Sequence, residues 1–229
     1  MKNTLSIAIP VYEANGNGWL YLSELLNSIY KQTFKDYEVV ISDQSSDDKI
    51  KLLCAYYEKN MNIKYISGHN IKRTNSCNAN NAIKNCSSDF IKVIFQDDFF
   101  IDENSLNYIV DAFNKDAQWI LSGCVHCKNI HFLDRPLIPQ YNHDIHLGKN
   151  TISSPSVLAF RGKHFFDEEL IMLMDCDIYK RLYNIYGEPF IIKNLLVANR
   201  LHQNQMQNTH AHLLSREIEY CKNKFKEKI

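Results

Sequence analysis

A chain of 229 residues, 45% hydrophobic and 23% charged, is long enough for one ordinary globular domain whose core needs no disulfide or structural metal. Its 26 basic and 26 acidic side chains sum to zero formal charge, which argues against general nucleic-acid binding through a long-range positive field and leaves room for a small anion held locally. Seven scattered cysteines without a secretory leader pattern imply a cytoplasmic protein, and no run approaches the ~18 apolar residues of a bilayer span, so membrane association is expected to be at most peripheral.

Apolar runs and helical stripes then alternate along the chain. Leu5 to Val11 reads as a buried strand, and Leu22, Leu25, Leu26 and Ile29 follow at i, i+3, i+4, i+7, which predicts an amphipathic helix. Val39 to Ile41 is a second strand, Ile50, Leu53, Cys54 and Tyr57 a second helix, and Ile63 to Ile66 a third strand. Ala79, Ala82, Ile83 and Cys86 mark a helix before the apolar run Phe90 to Gln96; Leu106, Ile109, Val110 and Phe113 mark one after it. The second half predicts strands over Trp119 to Cys124, Ser156 to Phe160 and Glu188 to Val197, with a long loop from Phe132 to Asn150. A helix near Asp175 carries Ile178, Leu182 and Ile185, and Leu213 to Lys228 is a charged amphipathic helix. Strand-helix alternation of this kind predicts an α/β fold with a largely parallel sheet covered on both faces, formed by residues 1–229 as a single domain.

Ligands of such sheets bind beyond the carboxyl ends of the strands. Polar clusters occur at three of those ends: Tyr12-Glu13, Asp43-Gln44-Ser45-Ser46 and Gln96-Asp97-Asp98. Adjacent carboxylates leaving an apolar strand repel each other and lose hydration, so a hard cation with oxygen ligands is the natural compensation. No glycine-rich phosphate loop is present, which disfavours dinucleotide folds, P-loop enzymes and nucleotidyltransferases.

Three stretches together resemble glycosyltransferase family 2: Ser6 to Tyr12, Leu25 to Asp43, and Ser45 to Asp48. The similarity continues through Arg73, Asn78, Asn81 and Ala82, through Gln96-Asp97-Asp98 as a variant of the family's Asp-x-Asp element, and through Phe166 to Leu170 into Met174 to Ile178. The resemblance implies a GT-A fold with a Rossmann-like central sheet. Residues 1–98 would form the nucleotide-binding half, and 99–229 the acceptor half with a C-terminal helix. It also implies a nucleotide-sugar donor, Mn²⁺ or Mg²⁺, and transfer with inversion to a hydroxyl acceptor such as a saccharide in glycan or polysaccharide synthesis. UDP- or dTDP-sugars are favoured, because Asp43 resembles the acid that accepts from a base imide.

Transferred residue by residue, the resemblance makes Asp98 the first-choice metal ligand, with His202 supplying another. Asp97 would bind the ribose or share the metal. Pro10, Tyr12, Glu13 and Asn78 would lie against the nucleotide sugar, and Arg73 would meet the base or diphosphate. Asp175 matches the general base that takes the acceptor proton. Asp177 stands about 200° further round the helix and cannot address the same atom, so it is expected to pair with Arg181 at i+4.

Plainer roles exist for each residue: turn or helix caps for Asp43, Asp97, Asp98 and Asp175, and solvated surface for Arg73 and His202. Cys124, Cys127 and His131 have only a hint of zinc spacing and read as thiols in the core plus a polar residue. A catalytically silent nucleotide-sugar-binding module of the same fold is the alternative function, and turnover separates the two.

Overall fold

The computed structural model describes residues 4–203 and 209–226. In chain order it contains β1 (Leu5–Val11), α1 (Gly18–Tyr30), β2 (Tyr37–Asp43), α2 (Lys49–Tyr57), β3 (Ile63–Ser67), α3 (Asn75–Lys84), β4 (Phe90–Val93), β5 (Phe99–Phe100) and α4 (Ser105–Asn114). There follow β6 (Trp119–Asn129), β7 (Phe132–Leu137), β8 (Leu158–Arg161), α5 (Met174–Tyr186), β9 (Phe190–Arg200) and α6 (Leu214–Lys224). Among the described residues the strands form one nine-stranded sheet, ordered β3-β2-β1-β4-β8-β6-β9-β5, with β7 attached to β6. The first four strands run parallel. β8 is antiparallel to both its neighbours, β6 and β9 are parallel, and β5 and β7 are antiparallel to their partners.

All seven residues of β1 and all seven of β2 are buried, as strands covered on both faces must be, which is why most of them are apolar and why Ser6 and Glu38 are hydrogen-bonded to each other inside the sheet. Leu22, Leu25, Leu26 and Ile29 of α1 are fully buried against them, each side chain contributing about 1.5–3 kcal/mol. Gly18 lets α1 begin tight against the exit of β1. A Cβ there would stand 2.1 Å from the carbonyl oxygen of Tyr12, which no side chain tolerates. Thr74 starts α3 as a helix cap, its Oγ1 accepting the Cys77 N–H at 3.2 Å.

The structure departs from the sequence reading in several places. The fourth strand stops at Val93 rather than Gln96, because the Phe95 N–H turns to the Ser156 hydroxyl and the Gln96 amide turns to Tyr12. Residues 132–137, expected as loop, form β7: both of its faces are exposed, so no apolar alternation marks it, and only pairing with β6 makes it a strand. β9 runs on to Arg200 and so carries Asn199 and Arg200 into the site. On α5 the buried face is Ile178, Tyr179 and Leu182, while Ile185, expected on it, is 60% exposed beyond the edge of the core. The predicted last helix ends at Lys224; its final predicted residues, 227 and 228, lie outside the described residues. No helix among the described residues is long and apolar enough to cross a membrane.

Candidate active site

A pocket of about 450 Å³ opens where β1 and β4 end, lined also by residues from 150–155, 171–175 and 199–202. Of the residues singled out from sequence, Pro10, Tyr12, Asn78, Asp97, Asp98, Asp175 and His202 line it. Glu13, Asp43 and Arg73 do not.

Gln96 holds the exit of β1 in a two-bond clamp, its Oε1 accepting the Tyr12 N–H at 2.8 Å and its Nε2 donating to the Tyr12 carbonyl at 3.0 Å. That brings the Asp97–Asp98 turn beside the first strand, where the two carboxylates have different surroundings. Asp98 is buried: Oδ1 accepts the Arg200 N–H at 2.9 Å and Oδ2 the Ser154 hydroxyl at 3.2 Å. Burial, and then the charge of Asp97, push its carboxyl well above the usual carboxylate range. Asp97 is partly open, with Oδ2 3.0 Å from His202 Nε2, and Tyr21 stacks on the imidazole at 5.8 Å between ring centroids. Expected as the principal metal ligand, Asp98 is thus committed to protein donors on both oxygens, whereas Asp97 and His202 converge at the pocket wall. One carboxylate and one imidazole suit Mn²⁺ or Mg²⁺ whose remaining ligands are phosphate oxygens and water. Among the described residues no third His, Cys, Asp or Glu joins the pair in a ready-made cluster.

Arg200 binds this corner together. Its Nε donates to the Asp97 carbonyl at 2.9 Å, its guanidinium is ion-paired with Glu24 of α1, and it lies over the rings of Tyr21 at 4.6 Å and Phe99 at 5.6 Å. Behind the turn Lys92 is wholly buried, donating to the carbonyls of Ser156 and Leu158; burial pulls its ammonium down to about 7.

Asp175 also lines the pocket, from the first turn of α5. Oδ1 accepts the Cys176 N–H at 2.8 Å and Oδ2 accepts from Asn150 Nδ2 at 2.7 Å. Burial pushes its carboxyl up to about 6, against these hydrogen bonds, which pull it down. A carboxylate that titrates there is proton-free at neutral pH and basic enough to accept a proton. Asp177, fully buried two residues on, pairs with Arg181 at 2.8 Å as its spacing predicted, and also with Lys224. The segment 150–154 connects these groups: Asn150 reaches Asp175, Ser154 reaches Asp98, and Ser153, at φ +108°, receives Asn199 Nδ2 at 2.7 Å.

The nucleotide-binding expectations divide. Asn78 is buried against the pocket, its Nδ2 on the Val11 carbonyl at 2.9 Å and its Oδ1 without a partner. Asp43, expected at a base imide, is 1% exposed. Its Oδ1 takes the Ser45 N–H at 2.8 Å and its Oδ2 the Tyr65 hydroxyl at 2.9 Å, so in this structure it braces the end of β2. Glu13 and Arg73 are ion-paired with each other outside the pocket lining. Cys124 and Cys127 are buried thiols, and His126 rather than His131 reaches the pocket.

Sequence reasoning missed Asn150, Ser154, Asn199 and Arg200, and placed no role on Gln96. Gln96 sits inside the recognised acidic element, and Arg200 is a lone cation ending an apolar strand; both were visible signals. Asn150 and Ser154 carried none, since loop polarity alone does not show which carboxylate a side chain will meet.

The family model for glycosyl transferase family 2 matches residues 6–172. The chain belongs to glycosyltransferase family 2. An uncharacterised glycosyltransferase of Rickettsia typhi is 25% identical over 225 residues, covering 90% of this chain and 66% of that protein, so this chain spans just under two thirds of that relative. Among solved structures, TarS from S. aureus in complex with UDP-GlcNAc superimposes with a TM-score of 0.70 at 18% identity, over 96% of this chain and 66% of that one. Mannosyltransferase PcManGT of Pyrobaculum calidifontis, in complex with GDP-Man and Mn²⁺, gives a TM-score of 0.65 at 14% identity over 89% of this chain and 59% of that one. At such identities the likeness is one of fold, and this family 2 chain has the mixed α/β GT-A architecture.

Proposed function

We propose that this chain is a metal-dependent inverting glycosyltransferase that moves a sugar from a UDP- or dTDP-sugar to an acceptor hydroxyl, in glycan or polysaccharide synthesis. The observation that carries the reading is that one pocket gathers two kinds of group: the Asp97–His202 pair and the raised carboxyl of Asp175. Asp97 and His202 are the residues that would hold Mn²⁺ or Mg²⁺, which when bound supplies Lewis-acid neutralisation of the diphosphate leaving group.

The chain's own residues do the rest. The acceptor oxygen attacks the anomeric carbon, the bond from that carbon to the diphosphate oxygen breaks with its electron pair leaving on the nucleotide, and Asp175 takes the acceptor proton. Attack from the side opposite the leaving group inverts the centre. Asn150 holds the carboxylate that receives the proton. Asn78 Oδ1, a buried acceptor with no partner, suits a donor hydroxyl. Tyr12, followed in the chain by Glu13 with its partner Arg73, borders the nucleotide, and Asp43 acts at the base end by bracing the turn after β2 or, once freed from Tyr65, by accepting from the imide. The donor is a nucleotide sugar and the acceptor a saccharide or another hydroxyl compound. TarS with UDP-GlcNAc and PcManGT with Mn²⁺ are similar folds that bind such ligands, which supports the reading.

A thermal-shift series with UDP, dTDP and GDP, each with and without Mn²⁺, tests donor and metal together, because a ligand bound only by the folded state raises the melting temperature. Release of UDP from a UDP-sugar then separates an enzyme from a silent binding module. No metal-dependent shift with either pyrimidine nucleotide would refute the proposal.

A further inference from the structure

The segment that leads into Asp175 is held from outside the family match. Glu217 of α6 is 5% exposed, and its two oxygens accept three successive backbone N–H groups: Ile171 on Oε1 at 3.0 Å, and Met172 and Leu173 on Oε2, both at 2.9 Å. These amides immediately precede α5, whose first turn has no side-chain cap from its own chain neighbourhood. Leu173 is the N-cap and Ile171 and Met172 precede the helix, so no intrahelical carbonyl serves these donors, and here a carboxylate from a distant helix satisfies them. The same helix closes a second contact further along. Lys224 Nζ stands 2.5 Å from both Asp167 Oδ2 and Asp177 Oδ1, and the Tyr220 hydroxyl donates to Asp167 at 2.9 Å.

We infer that α6 is a strap that presets the base-bearing segment 167–177, with Glu217 as its positioning residue for transfer. The inference rests on Asp175 being the base. Ile171, Met172 and Met174 line the pocket beside Asp175, so a rotation of the 171–173 backbone moves both the wall and the carboxylate that Asn150 orients. A carboxylate suits this place and an amide does not. The oxygen and nitrogen of a glutamine would meet three inward-pointing donors, and its own NH₂ would face at least one of them.

The test compares the full chain with Glu217→Gln and, as a control for charge lost from the same helix, Glu219→Gln, an exposed position. The expected result for Glu217→Gln is a loss of roughly 10- to 100-fold in Mn²⁺-dependent hydrolysis of a UDP-sugar, the scale of a misplaced catalytic group. UDP affinity should stay within about twofold, the split expected of a group that acts on the chemical step alone. Amide exchange at 171–173 should accelerate in the same variant and in no other segment, while Glu219→Gln behaves as wild type. Unchanged hydrolysis and exchange in Glu217→Gln would overturn the inference, and so would a parallel fall in rate, UDP affinity and melting temperature, which would mark a general structural role. If Glu217→Gln does not fold, exchange in the wild type decides: protected amides at 171–173 support the strap, and amides exchanging as fast as exposed loops refute it. Failure of wild-type UDP binding would count against the proposed function, whereas the exchange measurement needs no donor.

Discussion

Replacing Asp175 by asparagine tests the base and its environment at once. The folded carboxyl titrates near 6 against an ordinary 3.8, because burial disfavours its charge. The native state therefore binds this proton more tightly than the unfolded chain, so stability is greatest below about pH 4 and declines as pH rises to about 6, remaining lower above. Two units correspond to about 3 kcal/mol, an upper bound that access of solvent at the pocket lowers. An amide at this position cannot titrate, so between about pH 4.5 and pH 7.5 the Asp175→Asn variant should gain about 1–2 kcal/mol relative to wild type in urea unfolding, the rest of the change lying below about pH 4.5. Its amide nitrogen will face either the Cys176 N–H or Asn150 Nδ2, an offset of about 1–3 kcal/mol that is the same at both pH values and cancels in the comparison. Single-turnover hydrolysis of a UDP-sugar with saturating Mn²⁺ should fall by about 10² to 10⁴, and the wild-type rise in rate through about pH 6 should vanish. A variant that keeps the wild-type rate, or keeps the rise near pH 6, would refute the assignment; a larger loss from Asp177→Asn would transfer the role.

Titration calorimetry of UDP with Mn²⁺ should show metal-dependent binding lost in Asp97→Ala and weakened about tenfold or more in His202→Ala, whereas Asp98→Ala should act mainly by lowering the melting temperature, since it strands the Arg200 N–H and Ser154. Arg200→Ala leaves Glu24 without its buried partner and should cost roughly 3–5 kcal/mol in urea unfolding; a loss below about 1 kcal/mol would mean the corner holds without it. Lys92 titrates near 7 when folded and at 10.5 when exposed, so the unfolded chain holds more protons between those values and stability should climb with pH there, by at most about 5 kcal/mol. Lys92→Met should flatten that climb. Tyr65→Phe frees one oxygen of Asp43 and should leave UDP affinity unchanged or raised, while Asp43→Ala should weaken it about tenfold; equal losses would confine Asp43 to bracing.

The amino-acid order by itself determined the first half of the molecule. Strands buried on both faces are written largely as apolar runs, and helices that cover them as stripes of period 3.6, so β1 to β4 and α1 to α4 are legible without knowledge of any partner, whereas the two-residue β5 is not. The acidic exit of the fourth strand marked Asp97, whereas Asp175 and His202 were reached only through the resemblance to family 2; all three line the pocket. Tertiary structure decided what those patterns could not contain. β7 exists because β6 offers it an edge, and its exposed faces leave no periodic trace. Both Asp97 and Asp98 line the pocket, and which of them is taken up by protein donors depends on Arg200 and Ser154, which lie 102 and 56 residues from Asp98 in the chain. Asp43 turned inward because Tyr65 on the neighbouring strand supplies a donor. Glu217 looks like any charge on an amphipathic helix until folding sets it against three amides 44 to 46 residues earlier. Local hydropathy encodes burial against whatever is apolar, but a hydrogen bond needs one particular partner at one distance, and only the closed chain supplies it.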